Sequence, residues 1–367
     1  MTTFPPAHGQ SWPTIAPAEA GFDPARLTEA TAFADAHETP WPRDLRAHLE
    51  SGYFEPAPDN EVIGPVEARG PTNGLVLRGG KLVASWGDTS RADYTFSVAK
   101  SYISICAGLA VADGLIGDLD EPVGATVQDG GFEGAHNGAV TWRQLLTNTS
   151  EWEGTLFGKA DTIDRNRILA TEGRGKPKGT RVLKTPGTHW EYNDVRVNRL
   201  SLALLRRHGR ALPDLFAERI MNPIGASPDW RWRGYRASMV EVGGTMVESV
   251  AGGTHWGGGI RIDARDQARV GLLMANRGLW AGKRLLPESW IAQSTTPCPL
   301  NPVYGFLWWL NTARARLPSA PASSYFASGA GGNLTWIDPD HDVVVVARWL
   351  DPAVQDDFAR RLLAALG

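Results

Sequence analysis

The chain holds only two cysteines, Cys106 and Cys298, among 367 residues. That is too few for a disulfide framework, so both are expected as free thiols. Cys106 lies inside the apolar run SYISICAGLAVA and reads as a small buried hydrophobe. No apolar run approaches the roughly 18 residues of a membrane span. The opening MTTFPPAHGQSWPTIAP has neither the basic nor the apolar segment of a secretory signal. These absences lead to the expectation of a cytoplasmic protein with no membrane partner. Charge of one sign is lacking too. Lys and Arg number 37 against 40 Asp and Glu, a net charge of -3, which gives no nucleic-acid surface. There is no His-Glu-x-x-His and no Cys-x-x-Cys, so no metal is expected. Neither a P-loop nor a Rossmann fingerprint occurs in strand–helix context, so no cofactor is expected. No Gly-x-Ser-x-Gly elbow is present, which disfavours an α/β-hydrolase.

What the chain does have is length, tryptophan and a change of character along its course. At 367 residues one large or two intertwined domains are expected. The 15 tryptophans are unusually many. Some must be core. Trp152, Trp190 and Trp256 flank polar and glycine-rich stretches and are candidate pocket walls.

The first 20 residues are proline-rich and expected to wrap the surface. DPARLTEATAFADAH (23–37) has helical spacing, with Asp23 as N-cap and Pro24 at the first helical position. TNGLVLRGGKLVASWGD (72–88) reads as a hairpin around Gly79-Gly80. Helices are expected over 97–116, from Thr141, over 194–208 ending at Gly209, and over 263–278. Strands are expected at 301–311, 333–339 and 342–350, the last two joined by a turn at Asp338-Pro339-Asp340, with a closing helix near 352–366. The predicted class is α+β. Residues 1–93 and 250–367 form an antiparallel sheet flanked by the terminal helices, and residues 94–249 form a mostly helical second lobe. The basic run GRGKPKGTRVLK (173–184) reads as a solvated loop, with steering of an anionic substrate as the alternative.

The chemistry centres on TFSVAKSYISI (95–105). Ser97 and Lys100 are three apart, so on a helix they share a face. A serine hydroxyl is a poor nucleophile until a neighbour takes its proton. A serine in the first turn lies at the positive end of the helix dipole. A half-buried lysine beside it is a candidate base. Taken alone the pair is weak, because a helix start with a solvated lysine looks the same. Downstream, PGTHWEYND places Tyr192 just before a capped helix, and YFASGAGGNLTWIDP brings a glycine-rich segment into a strand. Glycines there allow close approach of a substrate, and a backbone N–H can stabilise an oxyanion.

The order of FSVAKSY, TWRQLLTNTS, PGTHWEYND, GGGIRIDARDQARVGLLMANRG and SGAGGNLTWIDP resembles the serine β-lactamase and penicillin-binding-protein superfamily. Within it, the chain is most similar to the class C β-lactamase, carboxylesterase and 6-aminohexanoate-dimer hydrolase group. The resemblance spans residues 75–350. It implies a β-lactamase-like fold with the active site between the two lobes. It implies Ser97 as acylated nucleophile, Lys100 as the group that activates it and shuttles its proton, and Tyr192 as general base and acid. It also implies an oxyanion hole from the backbone N–H groups of Ser97 and Ala330, the residue after a third motif aligned to Ala327-Ser328-Gly329. Ser328 and Gly329 would then border the substrate.

Two positions depart from the family pattern. Its Tyr-x-Asn reads Tyr192-Asn193-Asp194, so a carboxylate replaces an amide. Asp194 either pairs with Lys100 or caps the following helix. The third motif begins with Ala327 where the family has Lys or His, which favours a neutral ester or a linear amide over a β-lactam. His255 in GGTHWGGG and the neighbouring Trp256 are candidate pocket contacts, with a structural role as the alternative. Trp152-Glu153 follows a loop that borders the family's cleft. Glu153 is a candidate contact for a substrate amine or an ordinary surface carboxylate.

The leading expectation is a cofactor-independent serine hydrolase acting on a small-molecule ester or non-β-lactam linear amide. The alternatives are acyl transfer through the same intermediate, a β-lactamase, and a catalytically silent binding protein on this fold. The oligomeric state stays open.

Overall fold

Two glycines with positive φ, Gly79 at 58° and Gly80 at 77°, turn the chain between strand β1 (Asn73–Arg78) and strand β2 (Lys81–Trp86). Strand β2 is one edge of the protein's main sheet. The computed structural model describes residues 2–165 and 181–367. The sheet is completed by β3 (Trp309–Leu310), β4 (Tyr325–Gly329), β5 (Asn333–Asp338) and β6 (Val343–Arg348). Its six strands run antiparallel in the order β3-β4-β5-β6-β1-β2. The first hairpin thus pairs with the last strands, Asn73 opposite Arg348, as the alternation of strand-rich ends and helical middle predicts.

The valine run of β6 shows why this sheet is covered on both faces. Val343, Val345 and Ala347 face helices α1 (Pro24–Ala36) and α5 (Gln355–Ala364), in a core with Leu27, Trp336, Phe358 and Leu362. Val344 and Val346 face the opposite core, which includes Leu272 and Leu273 of α4 (Ala264–Ala275). A side-chain period of two explains the split. Asp23 caps α1 by accepting from the N–H groups of Ala25 and Arg26, as its sequence predicts.

Helix α2 (Val98–Ala112) is buried along nearly its whole length, its polar Lys100, Ser101 and Ser104 included. It stops at Ala112 rather than near 116, because Asp113 caps it and Gly114 leaves the helix at φ 69°. Helix α3 (Asp194–His208) packs beside it and ends at Gly209 in the left-handed conformation. The helix after Thr141 is short, Trp142–Leu146, with a capping box between Thr141 and Gln144.

Two expectations need correction. Residues 301–311 are extended only at β3. The remainder turns, with Gly305 N–H donating to Trp308 O at 2.8 Å and Leu307 at φ 60°. Its apolar residues are buried from a coil, a pattern that looks strand-like in sequence. The segment 94–249 is also less helical than its apolar stripes imply. It carries a long hairpin, Gly234–Val242 with Thr245–Val250, turned at Gly243 and Gly244.

Residues 173–180 of the basic run lie outside the described residues. Of its end, Arg181 is sequestered by Glu151 and Glu191, each at 2.6 Å. No helix of the described residues is long and apolar enough to cross a membrane.

Candidate active site

Phe96 is fully buried and holds φ at 51°. A bulky residue in that region carries strain of roughly 1–3 kcal/mol. The strained step delivers Ser97, half-buried, to the N-cap of α2. One turn on, Lys100 reaches back. Its Nζ donates to Ser97 Oγ at 2.9 Å and to the Gly252 carbonyl at 3.1 Å. Ser97 Oγ in turn donates to the Gly253 carbonyl at 3.1 Å.

The Gly252–Gly253 corner has to be glycine. Gly253 has φ 81°, and a Cβ there would lie 2.0 Å from Phe96 O. Asn198 of α3 pins the corner by accepting from Gly252 N–H at 2.8 Å.

Lys100 is only 1% exposed and sits 2.7 Å from Asp194 Oδ1. The sequence left Asp194 between two roles, and the structure separates them. Asn193 caps α3, its side chain accepting from Arg196 N–H, while Asp194 turns inward to the lysine. Asp194 is also held by Thr254 Oγ1, and its N–H donates to Asp164 Oδ2 at 2.7 Å. The ring centre of Tyr192 is 5.1 Å from Lys100 Nζ.

Behind this pair lies His255, fully buried. Its Nε2 is 2.6 Å from Glu55 and its Nδ1 3.0 Å from Asp164. Burial alone lowers its pKa, but the carboxylates of Asp164, Asp194 and Glu55 outweigh burial and hold it up at about 10. The ring is therefore an imidazolium, donating from both nitrogens. Glu55, Asp164 and His255 have the residue types of a metal site. Both ring nitrogens of His255 lie within hydrogen-bond distance of a carboxylate, so the three side chains form a buried ion network in this structure. The expected pocket contact of His255 is thus corrected. It supports Asp194 from behind.

The third motif enters from the other side. At the end of β4 a Cβ on Gly329 would lie 1.9 Å from Thr95 O and 3.1 Å from Ser97 N. The strand end is therefore pressed against the start of α2, with Ala330 next in the turn, its carbonyl accepting from Asn333 at 2.8 Å. β3 pairs with β4 only at Tyr325 and Phe326. Beyond that, the outer edge of Ala327–Gly329 has no strand partner among the described residues. Ala327 itself is buried in the core, with no exposure.

Trp152 and Trp256 were candidate walls, and both are core residues instead. Trp152 is 3% exposed and donates from its indole to Gly131 O at 2.6 Å. Trp256 is 2% exposed and packs with Trp41, Phe54 and Phe96, behind Ala330. Glu153 is an exposed surface carboxylate with Arg165 3.8 Å away. Aromatic surface beside Tyr192 comes instead from Trp190, half-buried as the sequence reading allowed, and from Tyr304 and Trp309, which that reading did not single out. The sequence reading also missed Asp164 and Arg316. Arg316 lies in the loop between β3 and β4, donates to Ser328 Oγ at 2.5 Å, and belongs to no motif.

Residues 74–366 match the beta-lactamase family. The chain belongs to that family, and so to the serine β-lactamase and penicillin-binding-protein superfamily. Similar solved structures carry the same fold. A homologue described as a 6-aminohexanoate-dimer hydrolase, from Bacillus anthracis, is 16% identical with a TM-score of 0.60, over 100% of this chain and 91% of that one. EstCE1, described as a hydrolase with promiscuous acyltransferase activity, is 15% identical with a TM-score of 0.58, over 93% and 98%. A penicillin-binding-protein homologue from Caulobacter crescentus is 17% identical with a TM-score of 0.55, over 87% and 95%. Among curated proteins no sequence matches.

Proposed function

We propose that this chain is a serine hydrolase that cleaves an ester or a linear amide through an acyl-Ser97 intermediate. The observation that carries the reading is Lys100, buried, 2.9 Å from Ser97 Oγ and 2.7 Å from Asp194. Burying a lysine beside a serine costs desolvation that packing does not need. A cation there lowers the cost of charge on the serine oxygen as it attacks.

In the acylation step Ser97 Oγ bonds to the substrate carbonyl carbon, and Lys100 takes the serine proton as it releases one of its own through Tyr192 to the departing alcohol or amine, whose bond to that carbon breaks, so the lysine stays a cation. The carbonyl oxygen takes the developing charge and is met by the N–H groups of Ser97 and Ala330. In deacylation water bonds to the same carbon, its proton returns along the same path to Ser97 Oγ, and the acid leaves. The nearness of the Tyr192 ring to Lys100 Nζ, 5.1 Å from ring centre to nitrogen, supports giving Tyr192 the outer transfer.

The test is turnover of a panel of p-nitrophenyl esters, short linear amides and nitrocefin by the native chain and by Ser97→Ala. Ester or amide turnover that falls at least about 1,000-fold in the variant supports the reading. Turnover confined to nitrocefin replaces it with β-lactamase. Products that grow with added alcohol or amine instead of water replace hydrolysis with acyl transfer.

A further inference from the structure

We propose that Arg348 is a positioning residue for the reaction. Its guanidinium holds the two halves of the proposed oxyanion hole at one spacing, gripping the approach to Ser97 directly and the turn of Ala330 through Asn333. The proposal deepens the acyl-serine reading and rests on it for the hole that is served.

Arg348 closes β6 and is fully buried. Among the described residues its guanidinium donates only to neutral oxygens. Nε donates to Asn333 Oδ1 at 2.7 Å and one terminal nitrogen to Ile262 O at 2.8 Å. The other terminal nitrogen donates to Asp93 O at 3.0 Å and Tyr94 O at 3.2 Å. Burial pushes the pKa of the guanidinium down, and Asp93 is the largest opposing influence. A buried cation that donates to no carboxylate is costly, and an apolar side chain would fill the space without that cost. What the guanidinium offers in return is a planar fork whose donors keep fixed angles.

The acceptors lie on the two segments that have to meet. Asp93–Tyr94 is a short strand, with Asp93 paired opposite Ile262. Thr95 and the strained Phe96 lead from it to Ser97. On the other side Asn333 opens β5 opposite Gly329. Asn333 is fully buried, and its Nδ2 donates to Ala330 O at 2.8 Å. One amide group thus accepts from Arg348 and donates to the Ala330 turn. Gly331 and Gly332, at φ 77° and 87°, complete that turn. Glycine has the widest backbone freedom, so a turn holding two of them gains most from a side-chain tie.

Two N–H groups stabilise one oxygen only when both are held on it to within about 0.5 Å. Ser97 and Ala330 are far apart in the chain, and their spacing is set by what crosses between their segments. Arg348 and Asn333 make that crossing with hydrogen bonds at both ends, while Gly329 packs against Thr95 O.

The test is Asn333→Ala, which cuts the link and adds no charge. With p-nitrophenyl butyrate as substrate, kcat is expected to fall about 10- to 100-fold while KM stays within about threefold. Affinity for phenylboronic acid, whose tetrahedral adduct on Ser97 puts an oxygen in the hole, is expected to fall by a similar factor. Thermal unfolding verifies that the variant is folded at the assay temperature. Arg348→Lys keeps the cation without the fork and is expected to lose kcat in the same way. Adding Asn333→Ala to it is expected to cost little more, because both changes break one link. Native kcat and native boronate affinity in folded Asn333→Ala overturn the proposal, and so does a rise in KM that accounts for the whole loss. Either result with an inactive Ser97→Ala leaves the acyl-serine reading intact. Turnover retained in Ser97→Ala overturns that reading and this proposal with it.

Discussion

Lys100 and Asp194 form a buried ion pair at 2.7 Å, with 1% and 0% of their side chains exposed. The pair links helix α2, which Ser97 caps, to the start of α3, so it fixes the relative position of Ser97 and Tyr192 as well as a charge. Breaking one side of a buried pair is far costlier than deleting both. We predict that Asp194→Asn loses about 3–5 kcal/mol of stability in urea unfolding. The double variant Lys100→Met/Asp194→Asn is expected to recover a good part of that loss. Additive losses in the double-mutant cycle would contradict the coupling.

His255 gives the chain a signature against pH. Its folded pKa, about 10, is raised above the unfolded value of about 6.5 by Asp164, Asp194 and Glu55. Its contribution is therefore complete below about 6.5 and lost as pH rises through 10. Chemical unfolding between pH 6 and 10 is expected to show falling stability, and His255→Asn to flatten that fall while lowering stability at pH 6. An unchanged slope in the variant would remove His255 from the network.

Gly329 tests the proposed oxyanion hole. A methyl group there would lie 1.9 Å from Thr95 O, so β4 must retreat from α2. Gly329→Ala is predicted to lower kcat on the order of 100-fold and to lower the unfolding midpoint as well, since the strand must move away from the helix. A variant with native kcat would show that the strand end does not set the geometry of the reaction.

Much of this was legible in the sequence for a physical reason. Asp23, Thr141 and Gly209 are local signals, and each ends or starts its helix where its chemistry requires. The valine run and the Gly79-Gly80 turn give the sheet its outer partners because side-chain period and turn geometry are also local. The roles of Asp194 and His255 were not legible. Asp194 has the same letters whether it caps α3 or faces Lys100, and only the Asn193 cap decides between them. His255 meets Glu55, 200 residues away, a contact no short motif encodes. Trp152 and Trp256 sit in glycine-rich surroundings that mimic a pocket lining, yet those glycines make room for close packing. Gly154 is one, with the Trp152 ring where its Cβ would be. Arg316 left no signal, since its meaning comes from Ser328 and Trp309.

The most direct test of the central claim is intact mass after reaction with a fluorophosphonate, followed by peptide mapping. The account predicts one adduct per native chain, on Ser97, and none on Ser97→Ala. An adduct of equal yield on both proteins, or one mapped to another residue, would contradict it.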